Sequence, residues 1–139
     1  PHTVQHGIFT QRCIDLFNCS KALSKFLDLS NELKLDALVE AHDEEEVQIA
    51  LECGAKIIGV NNRNLKNFTV DVRNSLRLRA LVPKGIVFVS ESGIKTREDT
   101  RQLAAYHVNA VLIGETLMRS PDKRQHLICF GHNQNENKQ

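Results

Sequence analysis

Residues 86–99 read IVFVSESGIKTRED, and this stretch gives the clearest indication of the fold. Its first four residues form a short, continuous apolar run, which is typical of a strand buried on both faces. A polar loop containing Glu91 follows, and Thr96 with Asp99 three residues later marks the start of a helix that continues to about Tyr106. The stretch therefore predicts one strand, one loop and one helix in succession.

The same succession of elements is predicted on both sides of this stretch. Strands are expected at 37–41, 57–60 and 110–113, and helices at 20–34, 43–54, 72–81 and about 121–130. Ser20 and Asp43 are the expected N-caps of the first two helices, and Gly54 is the expected stop of the second. Apolar strands that alternate with amphipathic helices predict an α/β fold with a parallel sheet.

Polar groups stand at the carboxyl end of every predicted strand, which favours a closed barrel over an open sheet. They are Glu40, Asn61 with Arg63, Glu91 with Ser92, and Gly114 with Glu115. In a (β/α)8 barrel the strand ends converge on one mouth, where such groups act together. An open nucleotide-binding sheet is disfavoured, because no G-x-G-x-x-G motif or P-loop follows any of the strands.

The composition excludes several classes of partner. Eighteen Lys and Arg nearly balance seventeen Asp and Glu among 139 residues, so neither nucleic acid nor an anionic membrane surface is an expected partner. No stretch approaches the roughly 20 apolar residues that span a bilayer, and the first residues do not resemble a signal peptide. The cytoplasm is therefore the expected location.

The cysteines indicate neither a disulfide framework nor a metal site. No C-x-x-C pair occurs among Cys13, Cys19, Cys53 and Cys129, which are expected to be reduced thiols. His126, Cys129 and His132 form an H-x2-C-x2-H run that could bind a metal, but a tail of scattered polar residues is the simpler interpretation. No metal is predicted.

Several strand-end groups suit an anionic substrate, although each also has a structural interpretation. Arg63 can hold a planar carboxylate through two parallel hydrogen bonds, whereas 61–64 could simply form a turn. Gly93 and Gly114 lie on the loops after the last two strands, where barrels often hold a phosphate on backbone N–H groups. Glu40, inside an apolar strand, is either a proton-transfer group or half of an ion pair.

Four segments, taken in order, resemble one family, indole-3-glycerol phosphate synthase, over about residues 20–126. They are ALVE at 37–40, IGVNNRNL at 58–65, VSESGI at 89–94 and VLIGE at 111–115. This tryptophan-pathway family has a (β/α)8 barrel, so the resemblance implies the C-terminal half of such a barrel, with strands about five to eight. The NNRNL run argues against two related barrels, phosphoribosylanthranilate isomerase and the tryptophan synthase α subunit.

The resemblance also implies a reaction and a set of site residues. The family converts 1-(2-carboxyphenylamino)-1-deoxyribulose 5-phosphate into indole-3-glycerol phosphate, with loss of carbon dioxide and water, and it needs no cofactor or metal. The implied catalytic residues are Glu40 as a base in the dehydration, Asn61 to orient the substrate, and Glu91 facing its anilino and ribulose portion. The implied binding residues are Arg63 for the aromatic carboxylate, Ser92 beside Glu91, and the backbone of Gly93, Gly114 and Glu115 for the phosphate.

The chain also departs from the family pattern. The lysines expected on strands one and three, one of them the general acid of ring closure, have no counterpart in this sequence. Residues 1–19 diverge, although 14–17 could replace the fourth strand, and 131–139 have the composition of a disordered tail. We therefore predict segments 1–19, 20–130 and 131–139, and a fragment that is inactive without an N-terminal half-barrel. The alternative is a non-catalytic phosphate-binding half-barrel that pairs with itself or with a partner chain.

Overall fold

The described residues form a helix followed by four successive strand and helix units. The computed structural model describes residues 16–64 and 67–131. In chain order the elements are α1 (Leu16–Glu32), β1 (Leu38–Ala41), α2 (Glu44–Glu52), β2 (Ile57–Asn61), α3 (Arg73–Arg79), β3 (Val87–Glu91), α4 (Arg97–Ala105), β4 (Ala110–Leu112), α5 (Glu115–Arg119) and α6 (Lys123–Phe130).

The four strands form one parallel sheet in the order β1-β2-β3-β4. Each pair of neighbouring strands is connected by one of the helices α2, α3 and α4, as parallel neighbours require a crossover. This arrangement confirms the predicted α/β fold with a parallel sheet. All four carboxyl ends consequently lie at the same edge of the sheet, and the loops that follow them meet there.

Alternate strand residues pack beneath the helices and form the main core. Val39, Ile58 and Phe88 lie level with one another in three neighbouring strands and are nearly inaccessible to solvent. Leu27 of α1 and Leu78 of α3 belong to the same cluster. Burying a side chain of this size contributes about 1.5–3 kcal/mol. A slip of one residue would turn these side chains to the other face, so the core fixes the register and the level of each strand end.

The opposite face of the sheet carries polar residues among apolar ones. Because side chains alternate along a strand, Glu40, Gly59 and Val89 lie level with one another on the face away from the main core. Asn61 and Glu91 form the next pair toward the carboxyl ends. This face is the one that lines the inside of a closed barrel. The predicted catalytic side chains therefore all lie on the inner side.

The first helix begins earlier than the sequence indicates. It starts at Leu16, so Ser20 lies inside the helix and the prediction that it is the N-cap was wrong. Neither Gly nor Pro occurs in residues 16–20, so no residue there interrupts helix formation. The hypothesis of a strand at 14–17 is wrong for Leu16 and Phe17, which are helical, while residues 14 and 15 lie outside the described range.

Several other boundaries differ from the predictions by one or two residues. Helix α3 spans Arg73–Arg79 and not 72–81, and β3 begins at Val87. Helix α6 begins at Lys123, because the carboxylate of Asp122 caps it by accepting the backbone N–H of Gln125 at 2.9 Å. A side-chain oxygen at the N-cap satisfies a donor that would otherwise lack a partner, which Pro121 cannot do.

Two predicted N-caps are confirmed and fix the loops that lead into α2 and α4. Asp43 accepts the backbone N–H of Glu46 at 2.9 Å. Thr96 accepts the N–H of Asp99 at 3.2 Å, and the Asp99 carboxylate accepts that of Thr96 at 2.8 Å, which completes a capping box. Burial alone would raise the pKa of Asp99, but backbone hydrogen bonds from Lys95 and Thr96 hold it below its ordinary value.

Some predictions concern residues that the structure does not describe. Most of the predicted terminal segments, 1–15 and 132–139, lie outside the described residues, so the division into segments stays a prediction. His132 of the H-x2-C-x2-H run lies outside as well, and residues 16–64 and 67–131 contain no group of three His, Cys, Asp or Glu that could hold a metal ion. Cys53 and Cys129 are free thiols. No helix within the described ranges is long and apolar enough to cross a membrane.

Candidate active site

Glu40 is held in place at the end of β1 by the neighbouring strand. The side-chain amide of Asn61 donates a hydrogen bond to Glu40 at 2.9 Å. The amide oxygen of Asn61 in turn accepts the backbone N–H of Arg63 at 2.9 Å. Because both the nitrogen and the oxygen of its amide are hydrogen-bonded, Asn61 has one orientation, and it holds the Glu40 carboxylate at the carboxyl end of the sheet.

A histidine that the sequence reasoning did not single out completes this cluster. His42 Nδ1 lies 3.0 Å from the Glu46 carboxylate, and Nε2 lies 3.4 Å from that of Glu40. Glu46 also accepts the backbone N–H of His42 at 2.7 Å. The spacing of Glu40 and His42 could have indicated their proximity, since residues two apart in an extended segment point to the same side. The imidazole therefore lies between two carboxylates.

Glu91 is the most deeply buried acidic group of the site. Glu91 is 5% exposed, and among the described residues its Oε1 has no hydrogen-bond partner. Burial, followed by the negative charge of Glu40, raises the pKa of Glu91 from 4.5 to about 7, while His42 opposes the shift. A carboxyl with this pKa is suited to accept or release a proton near neutral pH.

The Glu91 carboxyl lies above Gly59 on the inner face of the sheet. A Cβ added at Gly59 would stand 1.9 Å from Glu91 Oε1, so only glycine leaves room for this position. Gly59 pairs with Glu40 in register, so the Glu91 carboxyl above Gly59 lies near that of Glu40, which explains why these two groups interact. A glycine inside a strand often marks a place where another group approaches closely, and this was the available signal in the sequence.

Replacing Gly59 by Ala is expected to push the Glu91 carboxyl out of its buried position. Because burial is the main cause of its raised pKa, the pKa of Glu91 would fall from about 7 toward 4.5. The end of a flexible side chain yields more readily than the backbone, so Glu91 is the group that moves. An NMR titration of the Glu91 carboxyl resonance measures this change. Gly85→Ala is the matched control, because nothing lies within 4 Å of a Cβ built there. An unchanged titration midpoint in Gly59→Ala would contradict the described position of Glu91.

The remaining predicted residues line one cavity of about 770 Å³ beside this cluster. They are Arg63, Ser92, Gly93, Gly114 and Glu115, which follow β2, β3 and β4 in the chain. Lys95 and Arg119, which the sequence reasoning missed, also line the cavity. Its described lining residues therefore include three Arg or Lys side chains and one acidic side chain, that of Glu115. Its volume suits a small molecule and its charge suits an anion.

The loop after β3 borders this cavity in a constrained conformation. Ser92 and Gly93 are both left-handed, with φ of 65° and 79°. A Cβ on Gly93 would lie 2.2 Å from a methyl carbon of Val70, so the loop after β2 packs directly against it. The hydroxyl of Thr116 donates to the carbonyl of Ile94 at 3.0 Å, which fixes the start of α5 to the same loop. Three strand ends are thereby held together.

Arg63 and Glu115 form an ion pair across the cavity. Arg63 Nη2 lies 2.9 Å from Glu115 Oε2, and Arg119 lies 3.1 Å from the other Glu115 oxygen. The carboxylate of Glu115 is therefore paired with two arginines, whereas the phosphate contact predicted for Glu115 is made by its backbone N–H. Because more than half of the Glu115 side chain is exposed, the pair stabilises the fold by only about 0–1 kcal/mol.

A continuous series of contacts connects the two parts of the site. It runs from Glu40 to Asn61, then to Arg63, and from Arg63 to Glu115. Glu91 is adjacent in sequence to Ser92, which lines the cavity. The structure therefore brings the predicted catalytic and binding residues together at one end of the sheet.

The family model of indole-3-glycerol phosphate synthase matches residues 16–128. The chain belongs to this family. An indole-3-glycerol phosphate synthase of Lacticaseibacillus paracasei is 57% identical over 108 residues, which cover 78% of this chain and 42% of that protein. One from Ruminiclostridium cellulolyticum is 58% identical over 100 residues, covering 72% and 38%. The chain thus spans about two fifths of the length of the indole-3-glycerol phosphate synthases that it matches.

Solved structures with similar folds confirm the fold class. The structure titled native KDPGal has a TM-score of 0.62 at 16% identity and covers 88% of this chain and 55% of that one. The thiamine phosphate pyrophosphorylase of Pyrococcus furiosus has a TM-score of 0.58 at 12% identity and covers 90% and 80%. These neighbours have TIM-barrel-like folds, and the four-stranded parallel sheet is consistent with half of such a barrel. At these identities the likeness concerns the fold alone.

Proposed function

We propose that this chain supplies the C-terminal strands and catalytic loops of an indole-3-glycerol phosphate synthase. The proposed reaction closes the indole ring of 1-(2-carboxyphenylamino)-1-deoxyribulose 5-phosphate, with loss of carbon dioxide and water. The observation that carries the proposal is the series of contacts from Glu40 through Asn61 to Arg63, next to the buried carboxyl of Glu91. The reaction is proposed to take place in the cytoplasm.

The cavity is the proposed site of the substrate phosphate. Backbone N–H groups of Gly93, Gly114 and Glu115 would donate to it, and the positive charges of Lys95 and Arg119 would strengthen the attraction. Support comes from the fact that all five residues line one cavity. A phosphate held there anchors one end of the substrate, so that its ring portion extends toward Glu40 and Glu91.

Arg63 is proposed to hold the aromatic carboxylate of the substrate. Its present partner, Glu115, forms a partly exposed ion pair that is worth little, whereas two parallel hydrogen bonds to a substrate carboxylate are among the stronger charged contacts. The substrate can therefore replace Glu115 at the guanidinium. Asn61 accepts the backbone N–H of Arg63, so the amide that orients the substrate also positions this arginine.

Glu40 and Glu91 are proposed to handle protons during the reaction. Glu40 would remove a proton in the dehydration, with Asn61 fixing its orientation. Glu91, with a pKa of about 7, would exchange a proton with the anilino and ribulose portion, beside the hydroxyl of Ser92. No metal or cofactor enters the proposed steps.

We propose further that catalysis needs strands beyond the four described here. The family's general-acid lysine has no counterpart in this sequence. On the inner face, Val87 and Leu112 are each 41% exposed, and on α1 Phe26 and Leu29 are each 49% exposed. Additional β/α units would cover these apolar groups and pair the edges of the sheet, whether they belong to the same polypeptide or to another one.

A complementation assay tests the proposed function. The purified chain is assayed on the ribulose phosphate substrate, alone and after addition of the remaining N-terminal part of the Lacticaseibacillus paracasei relative. We expect turnover only in the mixture, and a loss of about a hundredfold or more in Glu40→Gln, because general base catalysis contributes about this much. Glu98→Gln, an exposed carboxyl on α4, is the matched control. Turnover by the chain alone would contradict the requirement for further strands, and an inactive mixture would contradict the proposed function.

A second candidate function is a non-catalytic phosphate-binding half-barrel that pairs with a copy of itself. The unpaired edges of the described sheet, β1 and β4, together with the cation-lined cavity favour it. The mass of the chain in solution distinguishes the two candidates. A stable dimer that binds phosphate and does not respond to the added N-terminal part supports the second candidate, and a monomer excludes it.

A further inference from the structure

The side chain of Asn62 is fully hydrogen-bonded although it is buried. It is 3% exposed, and its oxygen accepts the backbone N–H of Ser75 at 3.1 Å and the Ser75 hydroxyl at 2.8 Å. Its NH2 group donates to the Ser90 hydroxyl at 3.0 Å and to the carbonyl of Ser92 at 3.0 Å. A primary amide can make about four hydrogen bonds, so its capacity is used completely.

These four bonds connect three elements that surround the candidate site. Ser75 belongs to α3, Ser90 to β3, and Ser92 to the loop that borders the cavity. The hydroxyls of Ser75 and Ser90 are themselves 2.8 Å apart, and both residues are completely buried. A buried polar network with every member satisfied holds its parts in one arrangement. Asn62 is the residue of this network that contacts the loop.

The bond to Ser92 determines the direction of the next peptide N–H. In a trans peptide the C=O of one residue and the N–H of the following residue point in opposite directions. The carbonyl of Ser92 points to Asn62, so the N–H of Gly93 points away from Asn62. Gly93 itself lines the cavity. The hydrogen bond from Asn62 thus fixes the plane of the peptide that carries the Gly93 N–H.

The conformation of Ser92 is a second, independent observation. Its φ of 65° is uncommon for a residue with a Cβ, and such conformations persist only where the surroundings enforce them. The side-chain amide of Asn62 donates a hydrogen bond to the Ser92 carbonyl. Without that donor the peptide after Ser92 could rotate, and the N–H of Gly93 would lose its direction.

We propose that Asn62 is a positioning residue for the anion site. It does not contact the ligand but, by holding the Ser92 carbonyl, it turns the Gly93 N–H toward the cavity and thereby sets the affinity for a phosphate group. The identity of the anion as the substrate phosphate rests on the proposed function. The backbone of Asn62 is held separately, through its N–H to the Glu91 carbonyl at 2.9 Å and its carbonyl to the Asp71 N–H at 3.0 Å.

The test uses the full chain and inorganic phosphate as the probe. Binding is followed by the NMR resonance of the Gly93 amide in wild type, Asn62→Ala and Ser75→Ala. Asn62→Ala is expected to weaken phosphate binding about tenfold, the effect of one misdirected hydrogen bond to a charged group. Ser75→Ala is the matched control, since it removes a hydroxyl from the same network and leaves the bond from Asn62 to Ser92. It is expected to bind phosphate as wild type does.

The carbon resonances of Ser92, which report its left-handed backbone, provide a readout that does not depend on phosphate. We expect them to shift toward ordinary values in Asn62→Ala and to stay unchanged in Ser75→Ala. If Asn62→Ala does not fold, Asn62→Asp is used at a pH well above 7, because an ionised aspartate still accepts from Ser75 but cannot donate to Ser92. The carbon resonances are decisive in that variant, since its added charge repels phosphate.

Each outcome decides between a positioning role and a merely structural one. The inference is overturned if the Ser92 resonances of the Asn62 variant remain as in wild type, or if Ser75→Ala weakens phosphate binding equally. If wild type binds no phosphate, the proposed phosphate site is wrong, whereas the Ser92 resonances still decide whether Asn62 holds the loop. Failure of the proposed function is thereby distinguishable from failure of this inference.

Discussion

Glu91→Gln is expected to raise the free energy of unfolding by about 3 kcal/mol at a pH well above 7, and to change it little below about pH 4.5. The folded protein holds the proton of Glu91 up to a pKa of about 7, while the unfolded chain releases it near 4.5. For such a raised pKa, stability is fully present below the unfolded value and is lost as the pH rises through the folded value. Glutamine keeps the shape of the group and does not ionise.

Denaturant unfolding of wild type and Glu91→Gln across this pH range measures the effect. The difference between the two proteins is informative because other groups cancel in it, including Asp99, whose lowered pKa changes stability in the opposite direction. Glu98→Gln, which alters an exposed carboxyl, serves as the control. Parallel pH profiles of wild type and Glu91→Gln would show that Glu91 is not held as described.

Gly93→Ala is expected to destabilise the fold by about 3 kcal/mol, through two separable effects. An alanine at φ 79° is strained by its backbone conformation, and its Cβ would stand 2.2 Å from a methyl carbon of Val70. Gly54→Ala isolates the first effect, because Gly54 has φ 82° and open space around a Cβ. That control is expected to cost only about 1 kcal/mol.

A double variant isolates the contact with Val70. Val70→Ala removes the colliding methyl group, so Gly93→Ala in that background is expected to cost about as much as Gly54→Ala does alone. The free energies of unfolding of the single and double variants form a thermodynamic cycle that gives the coupling between the two positions. Additive effects would mean that the loops after β2 and β3 do not pack together, and the cavity they border would then have a different shape.

The order of strands and helices was predictable because it depends on local patterns. The apolar run in β3, the Thr96 to Asp99 capping box and the Asp43 N-cap are each contained within a few residues, and the structure confirms them. That Glu40, Asn61 and Glu91 share one face follows from the strand period and the parallel order together. The start of α1 was not predictable in the same way, because Ser20 is compatible with both an N-cap and a helix interior.

Other features of the site depend on contacts between distant segments. The place of Glu91 above Gly59 requires the register of β2 against β3, which no single strand specifies. The ion pair of Arg63 with Glu115 joins residues 52 positions apart. The role of Asn62 is similar, since the NNRN run predicts a turn equally well and its partners come from α3 and β3. Local patterns placed these residues at the ends of predicted strands, but did not show what each one contacts.

The ion pair between Arg63 and Glu115 gives the site an internal substitute for its proposed ligand. The substrate of the proposed reaction carries an aromatic carboxylate, and the product does not, because that group leaves as carbon dioxide. Arg63 would therefore exchange Glu115 for the substrate on arrival and take Glu115 back after decarboxylation. Such a swap favours departure of the product, since the guanidinium regains a partner that only the substrate can displace.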